Sequence, residues 1–281
     1  MGSRILKEYS GRWQIIAPAR SEMQLTDAES IRRILKQAQP EVVIHTAALS
    51  STGYCEEHPE ESFAVNVLAA EQIANGCSDL GAKLVFFSSD QVYNGTRQLG
   101  ALKETAPLSP VNVYGRHKLE AEQRVQNICP DAVCLRASWM YDREKPGMKN
   151  NTGFWGLLQT VMQKGTPLDL ALREYRGITW VMPVVQAMEK IGHLPGGVYN
   201  LGARNHRSTY ETGMDCLRIL GADREQCGLL KPDAQRWPEF ERNLSMNSDL
   251  LRRYGVDLGD TVDGFAVFHN ALKNEQGGNS V

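Results

Sequence analysis

Four short apolar runs alternate with stretches whose apolar residues return every three or four positions along the first half of the chain. The runs Val42-Val43-Ile44-His45 and Leu84-Val85-Phe86-Phe87 are almost continuous, which suits strands buried on both faces of a parallel sheet. Residues 13–18 predict a further strand, ended by Pro18, and residues 132–136 another. Helices are predicted over 2–9, closed by Ser10-Gly11, and over 28–38, with Asp27 as N-cap and Pro40 as stop. Two more fall at 60–80, stopping at Gly81, and at 112–127. Strand and helix alternating with short links mean a parallel sheet built from right-handed crossovers.

After Tyr141 the rhythm breaks. Residues 143–151 are polar and read as a loop. Strands are expected near 168–171 and 197–201, helices over 154–164, 183–191, 210–220 and 248–254, and a frayed tail over 274–281. The pattern is that of an α/β fold with a doubly wound parallel sheet and a small C-terminal lobe. The division predicted is residues 1–141 for the main domain, and 142–281 for a lobe with some segments returning to the sheet.

Composition narrows the function classes. With 31 basic and 33 acidic side chains among 281 residues, the chain is not expected to bind nucleic acid or a membrane surface. It has no apolar run long enough to span a bilayer and no apolar stretch of a signal peptide near Met1. Six scattered cysteines without C-x-x-C spacing point to a reducing cytoplasm. Six histidines without H-E-x-x-H or paired spacing point away from a metal site.

The chemistry gathers at two places. Tyr114-Gly115-Arg116-His117-Lys118 puts Tyr114 and Lys118 on one helix face, where an ammonium favours the phenolate and so lowers the phenol's pKa. His117 between them is expected to be exposed. Ser88-Ser89-Asp90-Gln91 follows a buried strand, at the carboxyl end where ligands gather in open α/β sheets. Each motif alone is weak, since the first is matched by surface accidents and the second by a strand-capping turn. Their order, inside this rhythm, is much more specific.

On these residues the chain resembles the extended short-chain dehydrogenase/reductase family, and within it the dTDP-4-dehydrorhamnose reductase group. Val43-Ile44-His45-Thr46-Ala47-Ala48 is similar to the family's strand-to-loop segment over the cofactor. Glu56, Pro59 and Val65-Asn66-Val67 follow at the family's spacing. Pro110-Val111-Asn112-Val113-Tyr114-Gly115, Arg136-Ala137-Ser138-Trp139-Met140-Tyr141 and Val198-Tyr199-Asn200-Leu201-Gly202 match further segments. The resemblance implies a Rossmann-like dinucleotide domain and a substrate-binding lobe. It implies Tyr114 as proton donor to a reduced carbonyl, Lys118 as the group that lowers its pKa and holds the nicotinamide ribose, and Ser89 as the carbonyl's hydrogen-bond donor. It also implies cofactor contacts at Gly2, Ala47, Ala48 and Asn66, and sugar-nucleotide contacts at Ser50, Ser89, Asp90 and Trp139. Arg20 and Ser21 fall where the family reads the adenosine ribose, and a cation beside a hydroxyl suits a 2′-phosphate, so NADP is expected ahead of NAD. A homodimer is left open.

The chain departs from the pattern in three places. Gly2 stands where the last glycine of the family's G-x-x-G-x-x-G loop would be, so the first strand and the earlier glycines are expected to be missing. A mis-called start or truncation, and a degenerate member with weak dinucleotide affinity, both explain this. The family's A-A-x-T-x-V-D-x-x-E loop reads Ala47-Ala48-Leu49-Ser50-Ser51-Thr52-Gly53-Tyr54-Cys55-Glu56. Its D-Q-x-G-x-P-T reads Arg173-Glu174-Tyr175-Arg176-Gly177-Ile178-Thr179, which makes Arg176 a candidate phosphate or sugar contact, or a surface ion pair with Glu174.

The expected activity is NADPH-dependent reduction of a carbonyl on a nucleotide-activated sugar. A sugar-nucleotide dehydratase needs an acid/base pair after the strand-end hydroxyl, and Gln91 cannot supply one. A sugar-nucleotide epimerase, and a silent regulatory subunit like the β subunit of methionine adenosyltransferase, remain as alternatives.

Overall fold

The computed structural model describes residues 1–143 and 153–278. The chain begins with α1 (Gly2–Tyr9) and runs on through α2 (Ala28–Ala38), where the Asp27 carboxylate accepts from the Glu29 and Ser30 amides at 3.0 and 3.2 Å. Next come β1 (Val42–His45), α3 (Thr52–Glu57) and α4 (Pro59–Phe63). A π-helical turn (Ala64–Leu68) joins α4 to α5 (Ala69–Leu80). Then follow β2 (Lys83–Ser89), a 3-10 turn (Asp90–Tyr93), α6 (Val113–Ile128) and β3 (Val133–Ala137).

The second half holds β4 (Trp139–Tyr141), α7 (Phe154–Lys164), β5 (Leu168–Ala171), β6 (Glu174–Arg176), β7 (Ile178–Trp180), α8 (Val181–Gln186), α9 (Met188–Gly192) and β8 (Gly197–Leu201). It closes with α10 (Thr209–Ile219), α11 (Arg224–Leu229), β9 (Leu230–Asp233), β10 (Arg242–Leu244), α12 (Asp249–Arg253) and α13 (Thr261–Gly278).

The main sheet has the order β1-β2-β3-β8, all parallel. Alternation along β2 sends Leu84 and Phe86 to one face and Val85 to the other. The first face packs on Ile31, Leu35, Ile73, Cys77 and Val125 from α2, α5 and α6. The second packs on Ile5 and Tyr9 of α1, Val184 and Val185 of α8, and Leu251 of α12. Each large apolar side chain buried this way contributes about 1.5–3 kcal/mol. Helices on both faces make the doubly wound α/β arrangement expected. The lobe core gathers Tyr141, Phe154, Leu158, Cys216, Phe265 and Phe268. Three two-stranded parallel pairs, β4–β7, β5–β9 and β6–β10, stitch the second half together.

Several expectations are corrected. Residues 13–18 form no strand; no described strand lies beside them to complete a hydrogen-bond ladder, although Trp13 and Ile15 still pack on the core. β1 is not buried on both faces: it is an edge of the described sheet, and Val42 is 43% exposed. Residues 274–278 are helical, as the end of α13, which the sequence reading missed. The helix over 183–191 is broken at Ala187 into α8 and α9. The loop expected over 143–151 lies outside the described residues apart from Arg143.

Candidate active site

Ser89 is the last residue of β2, and its hydroxyl accepts from the Gln91 amide at 3.2 Å and donates to Asp90 Oδ1 at 3.3 Å. α6 starts opposite it. The Asn112 side chain caps this helix by accepting from the Gly115 amide at 2.7 Å. A Cβ at position 115 would lie 2.5 Å from the Gln91 carbonyl oxygen, so glycine allows α6 to approach the turn after β2. That approach brings the buried Tyr114 phenol beside Ser89, close enough for the serine hydroxyl to act on its titration. Lys118, one turn on and 1% exposed, holds its Nζ over the Phe86 ring, 4.1 Å from the centroid.

The electrostatics follow from burial. Desolvation pushes the Tyr114 phenol well above its ordinary value, and the neighbouring Ser89 hydroxyl draws it partly back. Desolvation pushes Lys118 down to about 7, against the pull of Cys134 and Glu122. The expected depression of Tyr114 by Lys118 is therefore absent here: the ammonium faces Phe86, and the phenol is protonated at neutral pH. His45, at the end of β1 and stacked on Phe86, is pushed down to about 3 by burial and by Lys118.

A polar network joins this corner to the lobe. Asp90 Oδ2 accepts from Arg176 Nη2 at 2.5 Å, and Arg176 lies over the half-buried Trp139 ring at 5.2 Å. Arg176 does pair with Glu174, at 3.8 Å, but the pair is buried rather than at the surface, the Arg176 side chain being 11% exposed, and Asp90 is the nearer anion. Glu174 pairs more closely with Arg242, whose Nη2 donates to Gln91 Oε1 at 2.9 Å. Gln91 Nε2 returns a bond to Asp90 Oδ1 at 3.1 Å. The Nε atoms of Arg176 and Arg242 are buried without a partner. Sequence reasoning missed Arg242 because its partners lie 68 and 151 positions away, beyond any local motif.

The remaining predicted positions fall around the ends of β1 and α1. Gly2 opens α1, and a Cβ there would sit 3.0 Å from Thr46 Oγ1, so the helix start lies close against the loop after β1. Ala47 and Ser50 are exposed and Ala48 half-buried in that loop. Asn66 is fully engaged within the protein: its amide brackets Leu49, accepting from the Leu49 amide and donating to the Leu49 carbonyl, both at 2.9 Å. Arg20 and Ser21 are exposed in a turn, away from Ser89, and Arg20 acts electrostatically on Tyr54 of α3. His117 is half-buried rather than exposed. Among the described residues no cluster of His, Cys, Asp or Glu could hold a metal ion.

Known proteins share the sequence pattern and the fold of this chain. A dTDP-4-keto-6-deoxy-D-glucose reductase of Streptomyces niveus is 28% identical over 211 residues, covering 74% of this chain and 71% of that one. A dTDP-4-dehydrorhamnose reductase of Mycolicibacterium smegmatis is 26% identical over 219 residues, covering 76% and 65%. The solved dTDP-4-dehydrorhamnose reductase of Bacillus anthracis, in complex with NADP, superposes with a TM-score of 0.81 over 96% of this chain and 95% of that one, at 19% identity. The family model described as the RmlD substrate binding domain matches residues 1–240, and the chain belongs to that family.

Proposed function

We propose that this chain reduces a carbonyl on a nucleotide-activated sugar with NADPH, as the names of its dTDP-4-dehydrorhamnose reductase relatives describe for them. The observation that carries this reading is the placing of the buried Tyr114 phenol beside Ser89 at the carboxyl end of β2, with Lys118 buried one helical turn away.

The residues present fit the nicotinamide end of a dinucleotide. Lys118 is a buried donor held by a ring face, free to turn toward ribose hydroxyls. The close seat of Gly2 against Thr46 leaves room for backbone contact at the start of α1, and Ala47 and Ala48 flank it. Arg20 and Ser21 suit a 2′-phosphate, which favours NADP over NAD. Bound NADPH would supply the hydride to the carbonyl carbon.

The chain's own groups supply the rest. Tyr114 is protonated at neutral pH, so its hydroxyl can give a proton to the carbonyl oxygen. Ser89 donates to the same oxygen when its hydroxyl turns from the long bond to Asp90. Asp90, fixed by Arg176 and Gln91, orients Ser89. Lys118, once protonated and turned from Phe86 toward Tyr114, would stabilise the phenolate left behind. Trp139 walls the sugar site, Arg176 contacts the sugar or its phosphates, and Ser50 reaches the sugar nucleotide from the loop after β1.

On this reading residues 1–141 carry the cofactor and residues 142–281 mainly the substrate. The nucleotide sugar is the partner, nucleic acid and membrane are not, and a homodimer is open. The free cysteines suit the cytoplasm, and no helix of the described residues is long and apolar enough to cross a membrane. The test is to follow NADPH oxidation with dTDP-4-dehydrorhamnose as acceptor. Oxidation supports the reading; NADPH binding without oxidation by this or another nucleotide-bound keto sugar overturns it.

A further inference from the structure

His117 lies between Tyr114 and Lys118 on α6, but it is held outside the pocket, where the Phe63 ring meets it edge-on at 5.5 Å. Its Nδ1 is 2.8 Å from the hydroxyl of Ser62, a fully buried residue of α4. One turn further, in the π-helical segment, Asn66 Nδ2 donates to that same hydroxyl at 3.1 Å. An amide nitrogen only donates, so Ser62 Oγ accepts from Asn66, and its hydrogen and its second lone pair can each meet His117 Nδ1. Asn66 spends its other hydrogen and its oxygen on the backbone of Leu49. A continuous hydrogen-bonded path thus runs from the Leu49 amide through Asn66 and Ser62 to His117. Leu49 lies in the loop that carries Ala47, Ala48 and Ser50, and Cys55 Sγ adds a second tie by donating to the Leu49 carbonyl at 3.4 Å.

We propose that His117 is a positioning residue that, through Ser62 and Asn66, sets the loop over residues 47–51 against the helix bearing Tyr114 and Lys118. It touches neither substrate nor cofactor. Only the kinetic half of its test rests on the reduction reading.

The test compares His117→Ala, Ser62→Ala and His117→Asn, the last keeping an amide able to accept or donate near the position of Nδ1. Hydrogen exchange of the Leu49 amide in the free protein is expected to quicken about tenfold in both alanine variants and to return toward wild type in His117→Asn. The KM for NADPH is expected to rise about fivefold in the alanine variants, with kcat within about a factor of two. Unchanged Leu49 exchange in folded Ser62→Ala and His117→Ala would overturn the proposal, as would a His117→Asn protein that behaves like His117→Ala. Should His117→Ala fail to fold, Ser62→Ala and His117→Asn decide alone. A wild-type protein that does not oxidise NADPH sinks the reduction reading, while the exchange rates still judge the positioning role.

Discussion

Lys118 rests its ammonium on the face of Phe86, 4.1 Å from the ring centre, while the rest of its side chain is sealed from water. A ring face offsets only part of the lost hydration, so the group titrates near 7 instead of its ordinary 10.5. Between those values the unfolded chain binds more protons than the folded one at this site. The stability of the free protein therefore rises with pH through that window, and the Lys118 penalty is fully present below it. Urea unfolding of wild type and Lys118→Met near pH 7 and near pH 9 checks this: the rise is expected to be smaller in the variant. An equal rise in both would show that Lys118 is not the group responsible.

Arg136 and Glu122 make a buried ion pair, with bonds at 3.1 and 2.6 Å and both side chains under 5% exposed. Glu122→Ala strands the guanidinium beside Tyr93 and is expected to cost about 3–5 kcal/mol. The denaturation midpoint reads this directly, and a loss below about 1 kcal/mol would mean that water or Tyr93 takes over the pairing.

Arg176 is expected to matter for substrate more than for cofactor. Arg176→Ala removes the cation that holds Asp90 beside Ser89 and should raise the KM for the nucleotide sugar about tenfold, leaving NADPH affinity within about twofold. Steady-state kinetics with each substrate varied in turn separates the two. A change confined to NADPH would place Arg176 on the cofactor side.

Arg20 stands in an exposed turn, so its replacement should not disturb folding. Arg20→Ala is expected to narrow the preference for NADPH over NADH by about tenfold, measured as the ratio of dissociation constants. An unchanged ratio would remove Arg20 from the adenosine site.

Much of this architecture is legible in the sequence because its signals are local. Asp27 and Asn112 cap helices where the pattern puts helix starts, and the apolar runs at β2 and β3 are strands. Ser89, Tyr114 and Lys118 are recognisable because a strand end and an i, i+4 pair are short-range features. The failures have long-range causes. Residues 13–18 have strand composition but no described neighbour to pair with, and β1 reads as central yet lies at the described edge. The partners of Arg176 and Arg242 are set by the folding of the lobe onto the turn after β2, which no spacing rule reports. His117 looks solvent-facing from its helix position until α4 is packed against it.

The central claim is that Tyr114 passes a proton to a sugar carbonyl during NADPH-dependent reduction. Single-turnover NADPH oxidation with a nucleotide-bound 4-keto sugar, in wild type and in Tyr114→Phe, tests it most directly. The account predicts that the phenylalanine variant folds, binds NADPH within about threefold of wild type and loses at least about 10²–10⁴ in rate. A Tyr114→Phe protein that turns over near the wild-type rate would contradict it.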